Sequence, residues 1–281
     1  MSGPADLVRR AMVSRVVGLF NDRARGEAPV LRSEAALFSS GSVIWRVHGD
    51  VTTMMIGGVT ALLLQMLHPA ALTGVWEHSH FRDDMLGRLR RTARFIALTT
   101  FGERSLADEA IARVRAIHAR VSGVMPDGQA YRADDPALLA WIHVAEATGF
   151  LDAWIAYGEP AMSIADQDVY FAESAVVARA LGADPVPTTR AEATALLQRY
   201  RPDLAVDHRT RAVARLILHP KPTSLADLPV QALLMRAAID LLPPWARRMQ
   251  GLSRSGVTSP LVHGGASALA ETLRWAFAGR A

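Results

Sequence analysis

Hydrophobic residues recur at intervals of three and four positions in nearly every segment between proline and glycine breaks. This spacing is typical of amphipathic α-helices, whereas the alternating pattern of a strand is hard to find. The pattern predicts an amphipathic run at 7–20 and helices at 33–38, 51–67, 82–100, 105–122, 136–157, 164–181, 190–200, 207–218, 225–242 and 266–277. The prediction is an all-α protein, with 1–39 as an N-terminal amphipathic helical segment and 40–281 as a single-domain multi-helix bundle.

One apolar stretch is long enough to be a candidate membrane-spanning segment. No formally charged residue occurs in 51–76, and that length could cross a bilayer. The stretch contains His68 and Pro69, and proline disfavours a helical conformation in the residue before it. We therefore predict a buried core helix at 51–67 that ends near His68.

Composition narrows the possible classes of function. The chain has 281 residues and a formal net charge of +4, and its basic residues are scattered among acidic ones, so a nucleic-acid partner is not predicted. It has no cysteine, which excludes disulfides, iron–sulfur clusters and thiolate ligands to haem or zinc. The start lacks a long apolar signal region, so a cytoplasmic location is expected. The basic run at 7–20 is typical of helices that lie on anionic lipid, which predicts loose association with a membrane surface.

Several familiar site motifs are missing from the sequence. It has no G-x-G-x-x-G, P-loop, G-x-S-x-G or H-E-x-x-H pattern, so dinucleotide, nucleotide, α/β-hydrolase and zincin functions lose their usual support. Glu77 and His80 form one Glu-x-x-His pair, but a di-iron helical bundle requires two. A non-haem metal site built from Glu77, His78 and His80 stays open as an alternative.

An imidazole lies on a predicted apolar helix face. Ile111, Val114, His118 and Val121 follow helical spacing, so His118 belongs to the stripe that faces the core. A buried ring nitrogen needs a partner. Two interpretations stay open: a core histidine bonded to a backbone carbonyl, or a ligand to a metal carried by a cofactor. Arg115, one turn earlier, would then face a negative group on that cofactor.

A second helix carries a cationic face. Arg88, Arg91 and Thr92 are three and four positions apart, so they lie on one side of the predicted helix at 82–100. Exposed arginines are the ordinary explanation. The functional interpretation is a basic rim that receives carboxylates, which suits the bidentate guanidinium.

His143 is a further candidate. It lies on the predicted helix at 136–157 beside Ala140 and Ala147, whose small side chains leave room for a flat ligand. Taken alone, this histidine is more typical of a structural role.

Five motifs occur in an order that resembles a known family. They are "LLLQMLHPAALTGVWEHSHFRDD", "GRLRRTARFIALTTFG", "RVRAIHARVSG", "YRADDPALLAWIHVAEA" and "DVYFAESAVVARALGADPVP". The order and spacing over 40–204 resemble the catalytic domain of the oxygenase MpaB and rubber oxygenase (latex clearing protein) family. The resemblance implies an all-helical fold that encloses a haem b pocket.

The resemblance also implies roles for particular residues. His118 of the Arg-x-x-His pair matches the iron ligand, and Arg88 with Arg115 would anchor the haem carboxylates. Arg91 and Thr92 would supply hydrogen bonds near the iron. Rubber oxygenases carry lysine at the position of Arg91, and arginine stays protonated and cannot ligate iron. That difference puts gating by this residue in doubt.

The implied function is oxidative. The resemblance predicts a haem-dependent oxygenase or related oxidoreductase that uses dioxygen or peroxide on a lipophilic small molecule. Glu77 is the predicted general base and His143 a predicted cofactor-binding residue. A haem carrier or sensor without turnover is the alternative, because the same pocket would serve it.

Overall fold

The all-α prediction is confirmed by the structure, a computed structural model that describes residues 6–7, 9–10, 12–14, 28–220, 227–254, 256 and 259–278. The helices from residue 43 onward are α1 (Val43–His48), α2 (Val51–Gln65), α3 (Pro69–His78), α4 (Met85–Phe101), α5 (Arg104–His118), α6 (Pro136–Tyr157), α7 (Ile164–Leu181), α8 (Arg190–Tyr200), α9 (His208–Leu218), α10 (Leu228–Leu241), α11 (Pro244–Met249) and α12 (Ser259–Phe277). Strands β1 (Ser122–Val124) and β2 (Ala130–Arg132) form an antiparallel hairpin. The amphipathic run predicted at 7–20 lies mostly outside the described residues, and the described positions within 6–14 are helical.

Five local predictions are wrong, and the one nearest the C-terminus is the helix predicted at 266–277, which begins seven residues earlier, at Ser259. The segment 33–38 is a turn with a single bridge between Ala36 and Glu103, not a helix. The stretch 39–50, for which the hydrophobic pattern predicts no helix, contains α1, which is too short to show periodicity. The helix predicted at 105–122 ends at His118, and its last residues enter the hairpin. The chain after Pro69 forms α3 because proline occupies the first turn of a helix without loss, and His68 Nδ1 accepts a hydrogen bond from the Ala70 amide.

The centre of the core is the packing of α2 against α6. These helices approach closely because each presents a glycine to the other. A Cβ atom on Gly57 would lie 2.6 Å from the carbonyl oxygen of Gly149. The uncharged segment is thus the core helix that the sequence predicts. Within the described ranges, no single helix is long and apolar enough to span a membrane, although α2 and α3 meet the criteria together as a pair bent by 104°.

Five helices surround the region where the candidate residues lie. Helices α4 and α5 are joined by two residues and pack together, so they run antiparallel. Helix α5 packs on α7, α7 on α6, and α1 contacts α4, α6 and α7. In the described part of the chain, α4 and α5 do not pack extensively on α6. Helices α1 and α7 therefore connect the α4–α5 hairpin to α6, because each of them contacts both.

Candidate functional site

His118 is the last residue of α5 and is half-buried. Its Nδ1 atom is buried and has no hydrogen-bond partner among the described residues. The carbonyl that would satisfy Nδ1 in an ordinary core histidine is therefore not found there. Burial lowers the pKa of His118, and the charge of Asp134 only partly offsets this effect. The ring is neutral at pH 7, which is the state that coordinates metals.

His143 and Glu146 lie one turn apart on α6. The Nε2 atom of His143 is also buried without a partner. Burial, with a smaller contribution from Arg179, lowers the pKa of His143 to about 4. Burial alone raises the pKa of Glu146 to about 7. This helix therefore carries two desolvated polar groups on one side.

The same groups retain solvent-accessible surface. His143 and Glu146 are only half-buried, as is His48 on α1, whose pKa burial lowers to about 3. A side chain packed into a solid core would be desolvated and would also lose its accessible surface. Strong desolvation together with accessible surface therefore indicates that these three side chains line an interior space.

A hydrogen-bonded chain forms one wall of this space. His48 lies between two hydroxyl groups, with Nδ1 2.9 Å from Thr100 Oγ1 on α4 and Nε2 3.1 Å from Tyr170 Oη on α7. The His48 ring also packs edge-on against Phe150 of α6. The two hydrogen bonds join α1, α4 and α7, and the ring contact adds α6.

Two arginines lie near the histidines. Arg115 Nη1 donates to the carbonyl of Ala180 at the end of α7, at 3.4 Å. Arg179, the preceding residue, lies close enough to His143 for its charge to lower the pKa of that ring. Arg115 and Arg179 are both exposed and lie near each other where α5 and α7 end.

The predicted basic face of α4 divides into two environments. Arg88 is half-buried and its Nη1 donates to Ser79 Oγ at 2.9 Å. Arg91 is exposed and pairs with Asp84 at 3.3 Å. Thr92 is also exposed, and its hydroxyl donates to the carbonyl of Arg88. Because α4 and α5 are antiparallel, Arg88 lies near the level of His118.

Glu77 lies at the end of α3 beside the β-hairpin. Its side chain is 44% exposed, and Oε2 accepts a hydrogen bond from Tyr131 Oη at 3.2 Å. Burial and the Glu77 charge raise the pKa of Tyr131 to about 12. Glu77 and His78 approach within 4.0 Å. Across the described residues, however, no group of three or more His, Asp or Glu side chains is arranged to hold a metal, so the non-haem alternative gains no support.

Three residues of the site were not predicted from sequence. His48 lies in 39–50, where the hydrophobic pattern predicts no helix, and Arg179 resembles any solvated arginine at a helix end. Glu146 had a detectable signal, because it is the one acidic residue in the first sixteen positions of the apolar helix α6.

Fold and site together define an all-α protein whose desolvated histidines and carboxyl group surround an interior space. The family model described as ER-bound oxygenase mpaB/B'/Rubber oxygenase, catalytic domain, matches residues 45–275. The chain therefore belongs to this family of oxygenases and is an oxidoreductase. The resemblance seen in the sequence is confirmed, and the match extends it toward the C-terminus. No curated protein and no solved structure matches the chain significantly.

The carboxyl of Glu146 predicts a pH dependence of folding stability. Its pKa rises from 4.5 in the unfolded chain to about 7 in the folded protein, so the folded state holds the extra proton between these values. The contribution of this group to the free energy of unfolding is fully present below pH 4.5. It is lost as pH rises through 7, and the free energy of unfolding then falls by at most about 3 kcal/mol. Urea unfolding of Glu146→Gln should lack this decline. The prediction is contradicted if both proteins lose the same stability between pH 5 and pH 8.

Proposed function

We propose that the protein is a haem b-dependent oxygenase that acts on a lipophilic small molecule. The observation that carries the proposal is His118, a neutral imidazole with an unpartnered buried nitrogen in a family of oxygenases. The interior space and the absence of cysteine are consistent with a histidine-ligated haem.

The residues around the space suit the parts of a haem. His118 would hold the iron, and Arg115 and Arg88 would bind the carboxylates through charge-assisted hydrogen bonds. His143 would line the opposite wall, from α6. Bound haem would supply an iron centre that activates dioxygen or peroxide.

The chain itself would supply orientation and exclusion of water. Apolar side chains of α2 and α6 shield the interior, which favours a lipophilic substrate. Arg91 is held by Asp84 and stays charged, so it can donate hydrogen bonds at the rim. The hydroxyl of Thr92 lies on the same side of α4, and because its hydrogen is donated to the carbonyl of Arg88, it offers an acceptor there.

Arg115 gives a test of the carboxylate-binding role. Arg115→Gln should weaken haem binding by about tenfold, because one charge-assisted hydrogen bond to a carboxylate is lost. Arg113→Gln is the matched control, since this exposed arginine lies two positions away on another side of α5. Haem titration followed by absorption measures both. Equal affinity in the two variants would remove Arg115 from the site.

A product assay tests the oxygenase function. Haem-loaded protein is reduced and incubated with oxygen and either isoprenoid or polyunsaturated lipids, and carbonyl products are measured by mass spectrometry. We expect cleaved or oxygenated products that depend on His118. Haem bound at one equivalent without any product or oxygen consumption would instead favour a carrier or sensor.

A further inference from the structure

The carboxyl group of Glu146 has no hydrogen bond or ion pair with any described residue. Neither carboxyl oxygen of Glu146 is among the fully buried side-chain atoms that lack a hydrogen-bond partner. Since neither oxygen has a partner, both must retain accessible surface. Glu146 is nevertheless deep enough in the protein for burial to raise its pKa to about 7. The carboxyl therefore faces the interior space rather than bulk solvent or a protein partner.

Among the described residues of the helices packed against α6, no cation offsets the effect of burial on the pKa of Glu146. Helix α2 has no titratable residue. On α7, the charge of Arg179 adds to the effect of burial in lowering the pKa of His143. The pKa of Tyr170 is raised by burial and, to a smaller extent, by the charge of Glu146. Arg190 of α8 pairs with Asp152 at 2.6 Å.

The remaining neighbours are neutral, already bonded or distant. His48 of α1 is kept neutral by burial. Glu173 of α7 accepts a hydrogen bond from the amide of Ile44, and Glu77 of α3 accepts one from a tyrosine. Asp240 of α10 and Arg274 of α12 lie near Tyr157 of α6, about three turns from Glu146.

An unpaired carboxyl inside a protein costs stability, and such groups concentrate at functional sites. The residue predicted as the base, Glu77, is 44% exposed and its Oε2 accepts a hydrogen bond from Tyr131, so its carboxylate lies outside the interior space. Glu146 has the environment that acid–base catalysis requires at neutral pH.

We propose that Glu146, and not Glu77, is the acid–base residue of the interior site. Its carboxylate takes a proton from a C–H or O–H group of the bound molecule, whose bonding electrons stay on that molecule, and its carboxylic acid later returns the proton. This inference rests on the proposed function, because the bound molecule is the substrate.

The first measurement does not require haem. Infrared difference spectra of the full chain, wild type minus Glu146→Gln, are recorded from pH 5 to pH 9 in H2O and D2O. We expect a protonated carboxyl band that disappears with a midpoint near pH 7 and shifts promptly in D2O. A carboxyl that is already ionised at pH 5, or one that does not exchange, overturns the proposal.

The second measurement uses the haem-loaded protein. The pH profile of product formation is compared among wild type, Glu146→Gln and Glu77→Gln, with the exposed Glu109→Gln as the control for a glutamate-to-glutamine change. We expect Glu146→Gln to lose the ionisation near pH 7 and about 100-fold in rate, with its absorption spectrum unchanged. Loss of this ionisation in Glu77→Gln instead, or a rate within threefold of wild type in Glu146→Gln, overturns the proposal.

The two proposals fail in different ways. A wild-type protein that binds no haem contradicts the proposed function, and the infrared titration still decides whether Glu146 ionises inside the protein. Normal turnover in Glu146→Gln contradicts only the assignment of this residue.

Discussion

Gly57→Ala is expected to destabilise the protein by about 2–4 kcal/mol and to lower its Tm by roughly 4–10 °C. The added Cβ would lie 2.6 Å from the carbonyl oxygen of Gly149 and 2.8 Å from the Cα of Phe150. Both are backbone atoms, so the clash is relieved only if α2 and α6 move apart. Because this pair forms the centre of the core, the separation would loosen most of the bundle. Calorimetry or urea unfolding measures the loss.

Gly58→Ala is the matched control on the same helix. Its Cβ would meet only the side chain of Phe150, at 3.6 Å, which is an ordinary contact. Alanine favours the helical state over glycine by about 1 kcal/mol, so this variant should be neutral or slightly stabilised. Equal destabilisation of the two variants would show that α2 and α6 do not approach as closely as the structure has them.

His118→Ala is expected to weaken haem binding by more than about 100-fold. Loss of a residue that only supports a metal ligand commonly costs 10–100-fold in affinity, and loss of the ligand itself should cost more. His143→Ala should change the affinity much less, because we assign this ring to the opposite wall and not to the iron. Haem titration of the purified variants, followed at the Soret band, gives both affinities.

The comparison of the two histidines decides between two assignments. If His143→Ala abolishes binding and His118→Ala does not, the iron ligand lies on α6 and the Arg-x-x-His motif is structural. Circular dichroism of the unloaded variants checks that both remain folded. Glu146→Gln serves as a third comparison, since it changes the same space without removing an imidazole.

The sequence predicts best those helices whose ends carry local signals. Helices α7 and α8 were placed to the residue, and both begin after a side chain that caps the helix: Ser163 accepts from the Asp166 amide and Thr189 from the Glu192 amide. Helix α1 has six residues and depends on packing, with Ile44 and Trp45 buried against other helices. A helix this short has too few residues to show a hydrophobic period.

The candidate site is predictable only where it follows a motif. His118 and Arg115 are one turn apart, so sequence spacing alone places them together. His48 and Glu146 come together only because α1 and α7 pack across α6, at separations that no local pattern encodes. Arg88 is half-buried whereas Arg91 is exposed, and this difference depends on the residues that surround α4. Their spacing on one helix face could not distinguish them.

The coordination of iron by His118 is tested most directly by resonance Raman spectroscopy of the reduced, haem-loaded protein. We expect an iron–histidine stretching band in the wild type that is absent from His118→Ala and returns when imidazole is added to that variant. A wild-type spectrum without the band, or a band that persists in His118→Ala, would contradict it.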